Sequence, residues 1–294
     1  MTLLDGKILS TAIQQDIKDE VQSMVDAGHP SPHLTTVIVG NNPASRSYVT
    51  SKMKACSRVG FTSELIEQPG NITQDDLLQI VEDLNKDPKV DGFIVQLPLP
   101  PHIDEEVVGL AIDYKKDVDG FHPMNFGRMA LGLPSYLPAT PFGILEMLKR
   151  YKVETSGKHC VVLGRSNIVG TPISILLSRK AIPGNCTVTL AHSRTKNINE
   201  EIKRADIIIA ALGIPHFVKE DMVKKGVTII DVGINRIEDK TRKRGYRLVG
   251  DVDFENVAPK CSYITPVPGG VGLMTVTALM MNTLLAANNS IYPK

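Results

Sequence analysis

The chain has 294 residues, 33 basic against 32 acidic side chains for a formal net charge of +1, and 42% hydrophobic content. That length suffices for two domains with a core each, and a balanced charge without long blocks of either sign argues against a nucleic-acid or membrane-surface partner. Cys56, Cys160, Cys186 and Cys261 are dispersed without a C-x-x-C pair, and the seven histidines form no ligand-spaced cluster, so neither a disulfide framework nor a metal site is expected. The opening MTLLDGKILS lacks the apolar run of a signal peptide, and no stretch approaches the roughly 20 apolar residues of a membrane span. The cytoplasm is therefore the expected location.

A helix is predicted from Ser10, with Ser10 as its cap, Ile13, Ile17, Val21 and Met24 on one face, and Gly28 as its stop. Leu34 to Val39 reads as a buried strand. Gly40-Asn41-Asn42-Pro43 then turns into a second helix, with Asn42 as cap and Pro43 in the first turn. Along it Ser45, Tyr48 and Lys52 are three and four apart, so they share one face just beyond a strand's C-terminal end, where open α/β sheets bind ligands. Spacing alone favours a solvated polar face instead, the commoner fate of Ser and Lys on a helix. Lys54 and Arg58 are read that way.

Gly60 ends this helix, Phe61 to Glu67 is a predicted strand, and Thr73 caps a helix that buries Leu77, Ile80, Val81 and Leu84. Phe93 to Val95 is a core strand, and Gln96 sits at its C-terminal end before a loop stiffened by Pro98 to Pro101. Such a Gln either satisfies loop backbone or, beside the Tyr48 helix, orients a polar partner such as Lys52. A short helix over Glu105 to Ile112 leads to Lys115-Lys116-Asp117-Val118-Asp119-Gly120. A loop holding His122, Pro123, Gly127, Gly132 and Pro134 follows and is the candidate hinge between two α/β patterns. Thr140-Pro141 starts the next helix.

In the second half, Cys160 to Leu163 is an apolar strand that runs into Gly164-Arg165-Ser166, and Gly170 precedes a further apolar segment. Strand, tight turn and helix in that order leave N–H groups at a helix N-terminus for an anionic phosphate. Glycines at 164 and 170 alone do not spell the dinucleotide fingerprint. The next strand, Thr187 to Ala191, ends in His192-Ser193-Arg194, where an NAD site would carry an acidic residue; a hydroxyl and a cation there suit a 2′-phosphate and favour NADP. Strands 159–163, 186–191, 206–211 and 227–231 alternate with helices 169–180, 197–203 and 219–225, a doubly wound parallel pattern. Turns at Ala211-Leu212-Gly213 and Asp231 to Asn235 reach the same edge as Gly164 and offer backbone for a nicotinamide. Arg236 to Arg247 reads as an exposed hairpin or loop. Thr265 to Thr275 is a glycine-rich loop moulded against a ligand or a neighbouring backbone, and Val276 to Ala287 is a final helix.

Five motifs stand in order along the chain: Tyr48-Val-Thr-Ser-Lys52, Val95-Gln96-Leu97-Pro98-Leu99, Lys116-Asp117-Val118-Asp119-Gly120, Gly164-Arg165-Ser166 with Val169-Gly170, and Pro266-Val267-Pro268-Gly269-Gly270-Val271-Gly272. Over essentially its whole length the sequence resembles the bifunctional methylenetetrahydrofolate dehydrogenase/cyclohydrolase family of the FolD type. The resemblance implies an α/β fold of two domains with a cleft between them. One is an αβα folate-binding catalytic domain, residues 1–139 completed by a C-terminal helix at 276–294. The other is a doubly wound Rossmann-type NADP-binding domain, residues 140–275.

It also implies that Tyr48 stacks on the folate, Lys52 is the catalytic lysine, Gln96 orients it, and Asp119 holds the pterin. Ser45, Val95, Leu97, Pro268, Gly269, Gly270 and Val271 would line the substrate, and Gly164, Arg165, Ser166, Ser193 and Ile234 the NADP. Those residue types suit the chemistry: a carboxylate accepts from adjacent pterin N–H groups, tyrosine stacks on a flat ring, and lysine serves as acid or base when its pKa falls from about 10.4. The implied reaction is oxidation of 5,10-methylenetetrahydrofolate by NADP⁺, then hydrolysis to 10-formyltetrahydrofolate. Hydride loss leaves positive charge on the one-carbon bridge, so an uncharged Lys52 is expected during that step. A homodimer is expected as well. Leu212 and Leu273 depart from the family's usual residues. The competing readings are a noncatalytic NADP-binding sensor, which would need none of Lys52, Gln96 and Asp119, and a two-domain NADP dehydrogenase of a small hydroxy or amino acid, which would need no stacking tyrosine.

Overall fold

An aspartate sets the first helix. Asp5 Oδ1 accepts from the N–H groups of Lys7 and Ile8 at 2.8 and 3.0 Å, so α1 (Gly6–Asp26) begins a turn ahead of the expected Ser10. Ser10 is buried within it and donates to the Lys7 carbonyl at 3.1 Å. Just before it, the short β1 (Thr2–Leu3) pairs in parallel with a strand from the far end of the chain. This is a computed structural model, and it describes residues 1–242 and 245–293. Lys243 and Arg244, within the expected charged excursion, and Lys294, at the end of the expected C-terminal segment, lie outside the described residues.

The chain divides into two units. One holds Thr11–Ala139 with the chain from Val276 on; the other holds Met1–Ser10 with Thr140–Thr275. Residues 1–10 thus belong with the second half, where the sequence placed them with 11–139. The physical reason is β1, whose ladder partner lies there.

The first unit is built on three parallel strands in the order β3-β2-β4: β2 (His33–Val39), β3 (Thr62–Gln68) and β4 (Gly92–Val95). Between β2 and β3 runs α2 (Pro43–Val59), whose start is capped by Asn42 Oδ1 accepting from Ser45 N–H at 3.2 Å. Gly60 ends it at φ +82°, a conformation that costs a side-chain-bearing residue more. The next helix, α3 (Gln74–Lys86), has Thr73 accepting from Asp76 N–H, and buries Leu77, Val81 and Leu84 against Val37, Val39 and Phe93. Each such side chain contributes roughly 1.5–3 kcal/mol. After α4 (Glu105–Ala111) comes a difference from the sequence reading: the candidate hinge contains a helix, α5 (Pro123–Ala130). Proline and glycine content pointed to a loop. Here Pro123 occupies the first turn, where a missing N–H costs nothing, and His122 Nδ1 caps Met124 N–H at 3.1 Å.

The second unit is a six-stranded sheet in the order β1-β11-β8-β7-β5-β6, with every pair parallel. Its elements are α6 (Ala139–Arg150), β5 (His159–Leu163), α7 (Gly170–Ser178), β6 (Thr187–Ala191), α8 (Ile198–Arg204), β7 (Ile207–Ala210), β8 (Val227–Asp231), β9 (Asn235–Glu238), β10 (Tyr246–Val249), α9 (Phe254–Val257), β11 (Cys261–Ile264) and the start of α10 (Val271–Ala287), whose residues from Val276 on belong to the first unit. The strands β7 and β8 are buried along their whole length, as in parallel sheets covered on both faces. The helix expected over 219–225 is only a 3₁₀ turn at Glu220–Met222. Past it, Lys224 reaches away to Asp206 Oδ1 at 2.6 Å and the Arg204 carbonyl at 2.9 Å. Within the charged excursion, β9 and β10 form an antiparallel hairpin. Among the described residues no helix is long and apolar enough to cross a membrane.

Candidate active site

In a parallel sheet the strand ends collect functional loops, and here β2 and β4 do so side by side. Gln96 N–H donates to the Val37 carbonyl at 2.8 Å, which places it directly beyond β4 and level with the β2 exit. Its amide nitrogen donates to the Leu97 carbonyl at 2.8 Å, so the amide oxygen faces outwards, and Lys52 Nζ donates to it at 3.2 Å. Lys52 is half-buried, Tyr48 one turn before it is 46% exposed, and Leu97 is 41% exposed. Ser45 is buried, and its hydroxyl donates to the Leu97 carbonyl at 3.4 Å, tying α2 to the loop after β4. One turn below Lys52 lies the buried Cys56; burial pushes its thiol up to about 12 despite the nearby Lys52, so it remains protonated.

Beside β4 the chain at Asp117 runs parallel to it, bridged to Phe93. Two residues on, Asp119 therefore comes level with Val95 and the same strand end. The two aspartates differ. Asp117 is buried and accepts from Phe121 N–H (3.2 Å), His122 N–H (2.8 Å) and Asn125 Nδ2 (2.9 Å). Burial raises its carboxyl to about 7 against those donors. Asp119 is half-buried, and among the described residues its carboxylate makes no hydrogen bond. Ser45, Tyr48, Lys52, Val95, Gln96, Leu97 and Asp119 thus share one sheet edge in this unit.

The second unit gathers its own set. The chain leaves β5 for β6 on one side and then returns to β7 on the other, which puts the topological switch point between β5 and β7. There Gly164 has φ +106°, and a Cβ on it would run into the Ala211 carbonyl oxygen after β7; a Cβ on Gly170 would run into the Gly164 carbonyl oxygen. Only glycines let these backbones close so tightly. Ser166 Oγ accepts from Val169 and Gly170 N–H at 3.2 and 3.4 Å at the start of α7. Arg165 and Ser166 are exposed at this turn, and Ser193 is exposed just past β6. Ile234, 46% exposed, follows β8, and Gly272 lies against it: a Cβ there would be 3.3 Å from Ile234 Cδ1.

That contact brings in the loop after β11. Pro268 is exposed, Gly269 has φ +106°, Gly270 is buried, and Val271 is the buried first residue of α10. A Cβ on Gly6 would strike the Gly270 carbonyl, so the first turn of α1 packs on this loop. The positions 164–166, 193, 234 and 268–271 consequently lie at one edge of one sheet. The turn is shaped for a diphosphate: close backbone, a helix start and exposed polar side chains.

Two buried carboxylates here escaped the sequence reading. Asp251 accepts from the N–H groups of Leu212, Gly213 and Ile214 at 2.6–2.9 Å and from Asn235 Nδ2 at 2.9 Å, fixing the turns after β7 and β8 together. Asp231 accepts from Gly233, Asp251 and Val252 N–H at 2.9–3.0 Å, and burial raises it to about 7. Apart from Gly233, their partners are remote in sequence, so no local motif announces them. The cavity of about 730 Å³ in this unit lies to one side, lined by the β9–β10 hairpin residues Tyr246 to Val249, by Phe254 and by Pro266 to Pro268. The residues of the glycine turn are not part of that cavity's lining.

A doubly wound sheet with a glycine-lined switch point, joined in one chain to an α/β unit that displays a lysine–glutamine pair at its strand ends, defines a two-unit dinucleotide-dependent enzyme. Family models describe both parts: "Tetrahydrofolate dehydrogenase/cyclohydrolase, catalytic domain" matches residues 4–119, and "Tetrahydrofolate dehydrogenase/cyclohydrolase, NAD(P)-binding domain" matches residues 138–291. The chain belongs to the tetrahydrofolate dehydrogenase/cyclohydrolase family. It is 62% identical to the bifunctional protein FolD of Flavobacterium johnsoniae over 286 residues, 97% of each chain. The solved bifunctional FolD of Campylobacter jejuni is similar at 45% identity and a TM-score of 0.92, covering 99% of both chains. The Trypanosoma brucei methylenetetrahydrofolate dehydrogenase-cyclohydrolase, solved with NADP cofactor and inhibitor, is 37% identical with a TM-score of 0.93, over 100% of this chain and 99% of that one.

Proposed function

We propose that the protein oxidises 5,10-methylenetetrahydrofolate to the methenyl form with NADP⁺ and hydrolyses that product to 10-formyltetrahydrofolate, within one-carbon metabolism. The observation that carries this reading is the Lys52 Nζ to Gln96 Oε1 hydrogen bond at the C-terminal edge of the three-stranded sheet. Neither cofactor binding nor core packing requires an amine held there by a backbone-anchored amide.

In the first step the bridge carbon of the folate loses a hydride, and its two nitrogens share the resulting positive charge. When bound, NADP⁺ supplies the hydride acceptor; Gly164, Arg165, Ser166, Ser193 and Ile234 would hold it, with Ser193 near the 2′-phosphate. Tyr48 stacks on the pterin face, Asp119 accepts from the pterin N–H groups, and Ser45, Val95 and Leu97 border the ring. The segment Pro268 to Val271 borders it too. In the second step water adds its oxygen to the methenyl carbon and gives a proton to the Lys52 amine. The carbon–N5 bond then breaks, N5 takes up a proton, and the formyl group remains on N10; one proton is released overall. Gln96 aims the lysine through both steps. General base assistance of this kind contributes about 10²–10⁴-fold.

The test is direct. Purified protein is supplied with methylenetetrahydrofolate and either NADP⁺ or NAD⁺, while methenyl absorbance and its decay are followed. Rise and decay with NADP⁺ are expected, with a weaker rise with NAD⁺. Absence of any methenyl signal with both cofactors would reject the reading. A homodimer acting in the cytoplasm completes the proposal, and light scattering at the dimer mass checks the first part.

A further inference from the structure

The folate-facing segment after Asp117 is fixed by a buried network that the reaction itself does not use. Asn125 is fully buried, and every polar atom of its amide is satisfied. Its nitrogen donates to the Tyr114 carbonyl and to Asp117 Oδ2, each at 2.9 Å, and its oxygen accepts from Tyr136 N–H at 3.3 Å and from the Tyr292 hydroxyl at 2.6 Å. An amide with two donors and two acceptors engaged has one orientation only. Asp117, held by it, closes the turn through Phe121 and His122 N–H. From the other side Asn282 Nδ2 donates to the carbonyls of Val118 and Leu137, both at 2.8 Å, and a Cβ on Gly120 would crowd the Leu137 backbone.

The far end of this network is the C-terminal segment. Tyr292 meets Tyr114 edge-on at 5.0 Å between ring centroids and Tyr136 at 5.5 Å, and the Arg128 guanidinium lies 5.3 Å over its ring. Edge-to-face and cation–π contacts of this kind are worth on the order of 1 kcal/mol each, enough to pin a segment that would otherwise fray. The anchoring serves Asp119, which lies between the two fixed points Asp117 and Gly120 with its carboxylate left unengaged.

We infer that Tyr292, Asn125 and Asp117 are positioning residues for the folate site, acting in series from the C-terminal segment to fix the Asp119 carboxylate. The inference rests on the assignment of Asp119 to the pterin. It differs from a stability role in what it predicts. A misplaced carboxylate weakens folate binding while the saturated enzyme still turns over, whereas a destabilised fold lowers the active fraction and leaves KM alone.

The test is a double-mutant cycle of Tyr292→Phe and Asp119→Asn. Tyr292→Phe removes one hydroxyl and keeps the ring, and thermal unfolding verifies the fold. The expected result is a KM for methylenetetrahydrofolate raised five- to tenfold, with kcat and the NADP⁺ KM within twofold of wild type. In the Asp119→Asn background the same change should add less than twofold. Wild-type folate KM in Tyr292→Phe beside an impaired Asp119→Asn overturns the positioning role alone, as do independent, multiplying effects. Wild-type folate KM in Asp119→Asn refutes the assignment of Asp119 and takes the positioning role with it.

Discussion

Replacing Gln96 by Ala isolates the contact on which the lysine depends. In the native protein the Gln96 amide is held by the Leu97 carbonyl at 2.8 Å and presents its oxygen to Lys52 Nζ at 3.2 Å. Alanine removes both bonds and leaves the amine a free arm with several rotatable bonds. A hydrogen bond to a charged group contributes about 1.5–3 kcal/mol. If that energy is realised in the transition state, its loss slows hydrolysis roughly 10- to 150-fold, and the 3.2 Å length argues for the lower half of this range. Gln96→Glu should also impair hydrolysis, by another route: a carboxylate in place of the amide holds the amine as ammonium and removes the base. The assay follows methenyltetrahydrofolate decay with no cofactor present, then NADPH formation from methylenetetrahydrofolate, with the urea midpoint confirming a folded protein. Hydrolysis within twofold of wild type in Gln96→Ala would refute the view that the amide aims the lysine. A rise in NADP⁺ KM comparable to the loss in kcat would equally contradict it, since Gln96 lies in the other unit from the glycine turn.

Ser166→Ala removes the acceptor for Val169 and Gly170 N–H at the head of α7; a loss of about 1 kcal/mol of stability by urea unfolding and a several-fold higher NADP⁺ KM are expected, with folate KM unchanged. Ser193→Asp places a negative charge where the 2′-phosphate is proposed to sit, so kcat/KM for NADP⁺ should fall at least tenfold while that for NAD⁺ holds or rises. Stability should depend on pH through Asp117 and Asp231, each raised from the ordinary 3.8 to about 7 by burial. The folded state binds these protons more tightly than the unfolded one, so their contribution is fully present below about pH 4, declines as pH rises towards 7, and is flat above it. Between pH 5 and pH 8 the loss is roughly 2–3 kcal/mol for each carboxyl, visible as a lower urea midpoint at pH 8; a midpoint that rises over this interval would contradict it.

Much of the fold is legible in residues that act locally. Asn42, Pro43 and Gly60 bound α2, Thr73 starts α3, and the glycines at 164 and 170 mark a turn where backbone must approach backbone. The pairing of Lys52 with Gln96 could be read because helix spacing and a strand end are both short-range signals. What escaped depends on distance along the chain. β1 and β11 are too short to declare themselves, and each is a strand only because the other, together with β8, supplies its hydrogen bonds. The helix α5 was hidden by proline and glycine content, since its stability comes from Asn125 buried among Tyr114, Asp117, Tyr136 and Tyr292. Asp231 and Asp251 look like ordinary acidic residues until the turns they tie together are seen.

The placement of β1 has a bearing on how the chain is assembled during synthesis. Thr2–Leu3 must wait for Cys261–Ile264 before it finds a ladder, so the sheet cannot gain its outer strand until β11 has been made and has left the ribosome. A nascent chain stalled after α9 would carry an unpaired edge at β8 and a loose leading segment, both open to the wrong neighbour. Completion of this sheet therefore waits on β11, and gene fragments cut between β1 and β11 should yield aggregates rather than half-enzymes.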